Sequence, residues 1–237
     1  MGNGIYVGMA GAAARLDQLD SIADNLSNAD STGFKAERPA FEAFLPSGVA
    51  VGPQSPVAVS TALDLREGAQ KTTGQPLDVI PENGAFLSVA LENGGVGYTR
   101  NGQLSLNADG MLTAAGHLLL DVHGQPIPIP PGEQAALSDN GGVSVKGTQL
   151  TQIATFKLSG PLERVSSSII GVAPGGSALP AAGRLRTGAL ELSNSPAIES
   201  MVQMIGAQRQ YDSSIQAIQT YRSMGNRAGQ LGTLQPF

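Results

Sequence analysis

The chain predicts an α+β fold, with discontinuous, coiled-coil-like terminal helices joined to a central all-β domain of barrel or sandwich type. Three observations predict it. From Ile5 the apolar positions run Ile5, Met9, Ala12, Leu16, Leu19, Ala23 and Leu26, in alternating steps of four and three, the seam of a helix that lies along another helix. Near the other end Ile198, Met201, Ile205, Ile215 and Ile218 mark a second helical stripe. Between them, short strand-like runs are separated by Asn-Gly and Asp-Gly, the strongest short hairpin signals. The chain therefore divides into a terminal helical assembly domain (1–35 with 190–237), an extended connector (36–75) and a central β domain (76–189).

The first helix is expected from Asn3 to Asn28, where Asp30-Ser31-Thr32-Gly33 supplies turn formers and a glycine able to take positive φ. Alanines and flanking glycines let a partner approach closely but bury little area. A helix of this length is marginal alone in water, and burying Ile5, Met9, Leu16, Leu19 and Leu26 contributes only about 1.5–3 kcal/mol each. It should gain order on meeting partners. An amphipathic helix packed on its own domain would show the same spacing.

From Lys35 to Thr73, Phe34, Phe41 and Phe44 precede Pro46, Gly48, Gly52, Pro53 and Pro56, a density of breakers that forbids a long helix. Short strands are expected at Val57–Val59 and Ala69–Thr73. Further strands are expected at Leu77–Ile80, Ala85–Leu91, Val96–Arg100, Gln103–Leu106, Met111–Thr113, His117–Val122, Pro126–Pro130, Gly142–Lys146 and Thr151–Leu158. Their regular spacing suggests a small barrel or sandwich. Ser159 to Arg186 reads as a loose return path with one or two edge strands. In the last helix Ser195 is a good N-cap, Pro196 suits the first helical position and Glu199 sits in the positive first turn. It can run to Arg227, about 45–50 Å at 1.5 Å per residue, longer than its N-terminal counterpart. Its glutamines make the remaining faces polar but uncharged, which suits a helix surrounded by copies of itself.

Charged residues are 14%, well under the roughly 25% of ordinary soluble domains, so much of the surface suits coverage by neighbours. A net charge of −5 without any basic run argues against nucleic acid as partner. Cysteine is absent, which removes disulfides, thiolate metal sites and a thiol nucleophile. No apolar run reaches the roughly 18 residues that span a bilayer, so membrane insertion is not expected. Ile5–Ala14 superficially resembles a signal-peptide core, yet no Lys or Arg precedes it and the heptad continues through it; no cleaved signal peptide is expected.

Chemistry is sparse. His117 and His123 flank one predicted strand, too far apart to share a metal without a bend, and Asp121 adds a single carboxylate. Asn107-Ala108-Asp109-Gly110 lacks the later ligands of a calcium loop and reads as a hairpin turn. The hydrolase, zincin, phosphate-loop and dinucleotide motifs are missing. Asp78, Glu82, Glu92 and Asp109 have no spacing that recommends paired-carboxylate chemistry. The expectation is a structural protein with no enzymatic activity and no cofactor. A secreted β-rich adhesin or binding module is the alternative from another class.

At Asn25-Leu26-Ser27-Asn28-Ala29-Asp30-Ser31-Thr32-Gly33-Phe34-Lys35 the sequence resembles the N-terminal signature of bacterial flagellar axial proteins. Asn25, Leu26, Asn28, Thr32, Gly33, Phe34 and Lys35 are the matching positions. Leu77-Asp78-Val79 with Gly84-x-Phe86, then Tyr98-Thr99-Arg100-Asn101-Gly102-x-Leu104 through Asp109-Gly110-x-Leu112, resembles the core motif of rod and hook proteins. Leu190-Glu191-x-Ser193-Asn194, then Glu199, Met201-Val202-x-Met204-Ile205 and Gln208-Arg209-x-Tyr211, resembles the family's C-terminal helix. Asp24 departs from the family's second Asn, and Ile80-Pro81 interrupts its strand, where proline removes a ladder donor.

The resemblance, to the flagellar basal-body rod protein family, implies a structural subunit of the rod that transmits torque from motor to hook. It is nearer the proximal than the distal rod. It further implies export through the flagellar type III apparatus without a cleaved signal, and polymerisation in the periplasm with copies of itself and other rod proteins. The terminal helices would form the inner tube, with Ile5, Met9, Leu16, Leu19, Leu26, Ile198, Met201, Ile205, Ile215 and Ile218 as inter-helix contacts.

Overall fold

The computed structural model describes residues 2–43 and 57–232. The stretch 44–56, which holds Phe44 and the connector's Pro46, Gly48, Gly52, Pro53 and Pro56, lies outside the described residues, as does the side chain of Ile5. The first helix, α1, is Gly2–Ser27, and Asn28 and Gly33 follow it in turns as the turn formers there require. The ribbon β1 (Glu37–Ala43) and β2 (Val57–Leu63) forms a two-stranded sheet of its own. Then come β3 (Gln70–Thr72), β4 (Val79–Pro81), β5 (Phe86–Ala90), β6 (Val96–Thr99), β7 (Leu104–Leu106), β8 (Leu112–Ala114) and β9 (His117–Leu118). After a proline-containing stretch follow β10 (Ala135–Leu137), β11 (Gly142–Val145), β12 (Thr148–Gln152) and β13 (Thr155–Ser159). The series closes with β14 (Leu162–Ser166), β15 (Ile169–Val172), β16 (Ser177–Pro180), β17 (Leu185–Thr187) and β18 (Ala189–Glu191). The second helix, α2, runs Ala197–Gly232, about 54 Å long and starting one residue after Pro196.

The chain forms two compact units. One comprises the chain as far as Leu26, Glu37–Ala62 and the segment from Ala197; the other, the β unit, comprises Ser27–Ala36 and Leu63–Pro196. The fold is α+β, with a β-rich centre.

The centre of the β unit is an antiparallel six-stranded sheet in the order β14-β15-β6-β5-β13-β16. Alternation sorts its two faces. Leu87, Val89 and Ile169 face a core completed by Val79, Leu112, Leu119, Ile127 and Ile153. Phe86, Tyr98 and Ile170 face a smaller cluster with Leu158, where Tyr98 meets Phe156 edge-on at 5.4 Å between ring centroids. Three-stranded sheets β7-β8-β9 and β10-β11-β12 and the pairs β4-β17 and β3-β18 complete the unit. Among the described residues the sheets are open and none closes into the expected barrel, because the strands are short and bulges interrupt β11–β12 and β14–β15.

Two expectations are corrected. The stretch from Ser159 to Arg186 does supply the expected edge strands, β14 and β16, but it is not loose: β15 lies inside the six-stranded sheet with Ile169 and Ile170 sealed. Asn101-Gly102 is not a hairpin turn, since β6 pairs with β5 and β15 whereas β7 pairs with β8. Gly102 serves close approach instead. Its carbonyl accepts the Val79 N–H at 2.9 Å, and a Cβ there would lie 1.6 Å from the Val79 carbonyl oxygen. Asn107–Gly110 does turn β7 into β8, with the Asn107 side chain accepting from the Asp109 and Met111 amides. Pro81 ends β4, whose strand pairs with β17 alone, a position where the missing donor is tolerated.

Candidate assembly surface and buried junction

The helices sort their side chains in an unusual way. Among the described side chains of α1 the sealed positions are Ala12, Ala14, Ser21, Ile22 and Asn25, mostly small or polar. Met9 and Leu16 are 52% and 45% exposed, while Leu19 and Leu26 are half-buried. Among the described side chains of α2 the sealed positions are Ser200, Ala207 and Ile218, and Ile215 is half-buried. Ile198, Met201, Val202 and Ile205 stand 79%, 51%, 66% and 52% exposed, one stripe along the first turns of α2. Asp and Glu are few beside them, Glu199 being held by Gln203 at 3.1 Å. Such a stripe costs solvation unless a partner covers it. The predicted contact positions therefore separate: Met9, Leu16, Ile198, Met201 and Ile205 are open in the lone chain, and Ile218 is closed.

The signature residues from Asn25 to Lys35 do different work. In the helical unit the Asn25 amide donates to the Glu37 carbonyl at 2.8 Å and accepts the Glu37 N–H at 2.9 Å, tying the last turn of α1 to the start of β1. Asn28 accepts from the Ser31 hydroxyl and amide and shapes the turn in which Thr32 sits half-buried. Gly33 has φ +68°, and a Cβ there would lie 2.3 Å from the Arg100 carbonyl carbon and 2.3 Å from the Asn101 nitrogen, so no other residue fits. Phe34 is sealed, with the Arg164 guanidinium carbon 4.5 Å from its ring centroid.

Lys35 enters a buried ionic junction. Its ammonium donates to Glu191 Oε1 at 2.7 Å and to the Arg66 carbonyl at 2.5 Å. Arg100 donates through Nε and Nη2 to Glu191 Oε2, and through Nη1 to the carbonyls of Pro81 (2.8 Å) and Ala85 (2.6 Å). Glu67 stands 3.4 Å from Nη2 on the outer side. Gly68 N–H completes the set at Glu191 Oε1, 3.1 Å away. The side chains of Lys35, Arg100 and Glu191 are at most 1% exposed. All three guanidinium nitrogens and both carboxylate oxygens are thus engaged, the condition under which buried charge is tolerable. Burial pushes the Glu191 carboxyl up, but Arg100 and then Lys35 outweigh it and hold it below the usual range. Burial pulls the Lys35 ammonium down; Glu191 opposes this and the Arg100 charge adds to it, leaving it below the usual lysine value.

Sequence reasoning quoted Lys35, Arg100 and Glu191 within separate blocks but did not pair them. The signal was a charged residue inside each otherwise apolar or small stretch, such as Glu191 between Leu190 and Leu192.

His117 lies in β9 and His123 in the turn after Asp121, whose carboxylate accepts the His123 and Gln125 amides and the Thr151 hydroxyl, each at 2.9 Å. Among the described residues no three His, Asp or Glu gather as metal ligands. One groove of the β unit runs past Gln75, Asp78, Gln103, Ser105 and Gln134, and another past Glu82, Asp139, Arg184 and Arg186.

Comparison with known proteins follows the same three blocks. Residues 5–35 match the family described as Flagella basal body rod protein, 82–145 that described as Flagellar hook protein FlgE/F/G D1 domain, and 186–231 that described as Flagellar basal body rod FlgEFG protein C-terminal. Lys35, Arg100 and Glu191 fall one in each. The flagellar basal-body rod protein FlgF of Escherichia coli is 30% identical over 255 residues, covering 98% of this chain and 98% of its own. FlgF of Salmonella typhimurium is 29% identical over the same shares. FlgG of Borreliella burgdorferi is 30% identical, covering 93% of this chain and 95% of its own. With matches in three separate blocks and a relative 30% identical over 98% of both chains, the chain belongs to the flagellar basal-body rod protein family.

Proposed function

We propose that the chain is a subunit of the proximal rod that polymerises through its terminal helices and passes torque from motor to hook. The observation that carries this is the open apolar stripe Ile198, Met201, Val202 and Ile205, with Met9 and Leu16 open on α1. Helices of sister molecules and of other rod proteins would cover these positions in coiled-coil fashion. In this reading 1–35 and 190–237 form the assembly domain, 36–75 the connector, and 76–189 the outer β domain. Ile5, Leu19, Leu26 and Ile215 extend the same contacts, while Ile218, sealed in the lone chain, does not. Subunits reach the periplasm through the flagellar type III apparatus without losing a signal peptide, and the activity is structural, not enzymatic.

The end-to-end match to FlgF relatives supports the proximal position. A distal position is the second reading, favoured by FlgG relatives of equal identity. Complementation with Leu16→Asp tests the assembly reading: rods and motility should vanish while the β unit of the full-length variant stays folded. Normal rods in that variant would overturn it. Labelling the subunit along purified basal bodies separates proximal from distal.

A further inference from the structure

The chain passes between its two compact units at Leu26–Ser27, Ala36–Glu37, Ala62–Leu63 and Pro196–Ala197. On the β-unit side these passages are tied to one another by two side chains. The Asn194 carbonyl oxygen accepts the Ala36 N–H at 2.7 Å, and its amide nitrogen donates to the carbonyls of Asp64 (2.7 Å) and Arg66 (3.1 Å). Asn194 N–H donates to the Phe34 carbonyl at 3.3 Å, and Asp64 N–H to the Ala36 carbonyl at 2.8 Å. Glu191 repeats the pattern one turn of strand earlier. Its main-chain carbonyl accepts Gly33 N–H at 2.8 Å, and its carboxylate holds Lys35 and Gly68 N–H. The turn 28–34, stitched by Ser31 N–H to Asn28 and Phe34 N–H to Ser31, brings the first passage into the same cluster.

A primary amide has one acceptor and two donors, enough to bind three backbone segments that no common ladder joins. We propose that Asn194, backed by Glu191, is a positioning residue: a clasp that gathers the segments ending at Ala36, beginning at Leu63 and ending at Pro196 into one loaded point of the β unit. Force applied to segments bonded side by side is shared among the bonds, whereas force applied to separate loops opens them one at a time. This load role rests on the torque-bearing reading above; the clasp itself does not.

The test is hydrogen exchange on the full chain carrying Asn194→Ala or Asn194→Asp. In Asn194→Ala the amides of Gly33, Ala36, Asp64 and Leu192 should lose protection together, by about tenfold or more, the loss of three side-chain hydrogen bonds, while Phe86–Ala90 and Leu112–Ala114 keep theirs. Asn194→Asp keeps the acceptor for Ala36 and removes both donors, so Asp64 should loosen while Ala36 stays protected. Loss confined to 194–195 in the alanine variant overturns the clasp. If that variant opens the whole unit, the aspartate variant decides, and unchanged exchange at Asp64 overturns it. In cells, Asn194→Ala should assemble rods yet swim at least about twofold less well in viscous medium. Full swimming there with loosened amides overturns the load role alone. Failure of the rod reading would show separately, as normal rods in Leu16→Asp.

Discussion

In the β unit Leu87, Leu112, Leu119, Ile127 and Ile153 have no exposed surface at all, whereas in the first turns of α2 the large aliphatic side chains face outward and Ser200 and Ala207 are the ones sealed. One region satisfies its own apolar residues. The other presents them. Both are drawn from a chain with few charges, so composition alone does not say which part is finished and which waits for a partner; the difference lies in what surrounds each side chain. Strands of two to five residues in several small sheets can close over a core because every second side chain meets another sheet or loop. In a helix about 54 Å long, the first turns leave Ile198, Met201, Val202 and Ile205 open.

The contrast would break most violently at Gly102. Gly102→Val places a Cβ on the Val79 carbonyl oxygen and forces β4 away from its partner segment. The β unit should lose about 4 kcal/mol or more, measured by urea unfolding, while the helices' exposed stripe is untouched. A variant of wild-type stability would mean that β4 does not need that approach.

Next in size is the junction. Glu191→Ala leaves two cations buried without their shared anion and should cost the β unit about 3–5 kcal/mol. The pH dependence has a definite sign. Glu191 titrates lower folded than unfolded, so its contribution is fully present above the ordinary glutamate value near 4.5 and is lost as pH falls through the lower folded value. Acid unfolding of the wild type should therefore steepen below about pH 4.5, and Glu191→Gln, already weakened at neutral pH, should show a flatter acid limb. Parallel acid limbs in the two proteins would contradict this. Lys35→Met tests the other partner: it removes a charge that burial already disfavours, so it should cost less than Glu191→Ala at neutral pH.

What the sequence made legible, and what it did not, follows the same division. Periodicity located both helices to within a residue or two at the starts, because α1 and α2 are long and their caps are local. It found β5, β6, β8 and β11, whose apolar residues come in dense runs. It missed β15, where only Ile169-Ile170-Gly171-Val172 emerges from serines, since a four-residue buried strand has no period of its own. Asn101-Gly102 was misread because a glycine needed for close approach and one needed for a turn are spelled alike. The junction was invisible for another reason: Glu191 lies 156 residues from Lys35 and 91 from Arg100, and no local pattern relates charges so distant.

The smallest expected effect sharpens the comparison from the other side. Ile205→Asp and Met201→Asp replace side chains that are already half in water, so each should change the unfolding free energy of the isolated chain by no more than about 0.5 kcal/mol. Aspartate lowers helix propensity slightly, and at 201 it lies near the favourable N-terminal end of α2, so the two substitutions should differ by only a few tenths. A large loss in the lone chain would mean that the stripe is packed within the molecule and is not available to neighbours. Silence in the lone chain combined with failure to form rods assigns those positions to contacts between molecules, since the same aspartate that water tolerates would then be buried without a partner charge.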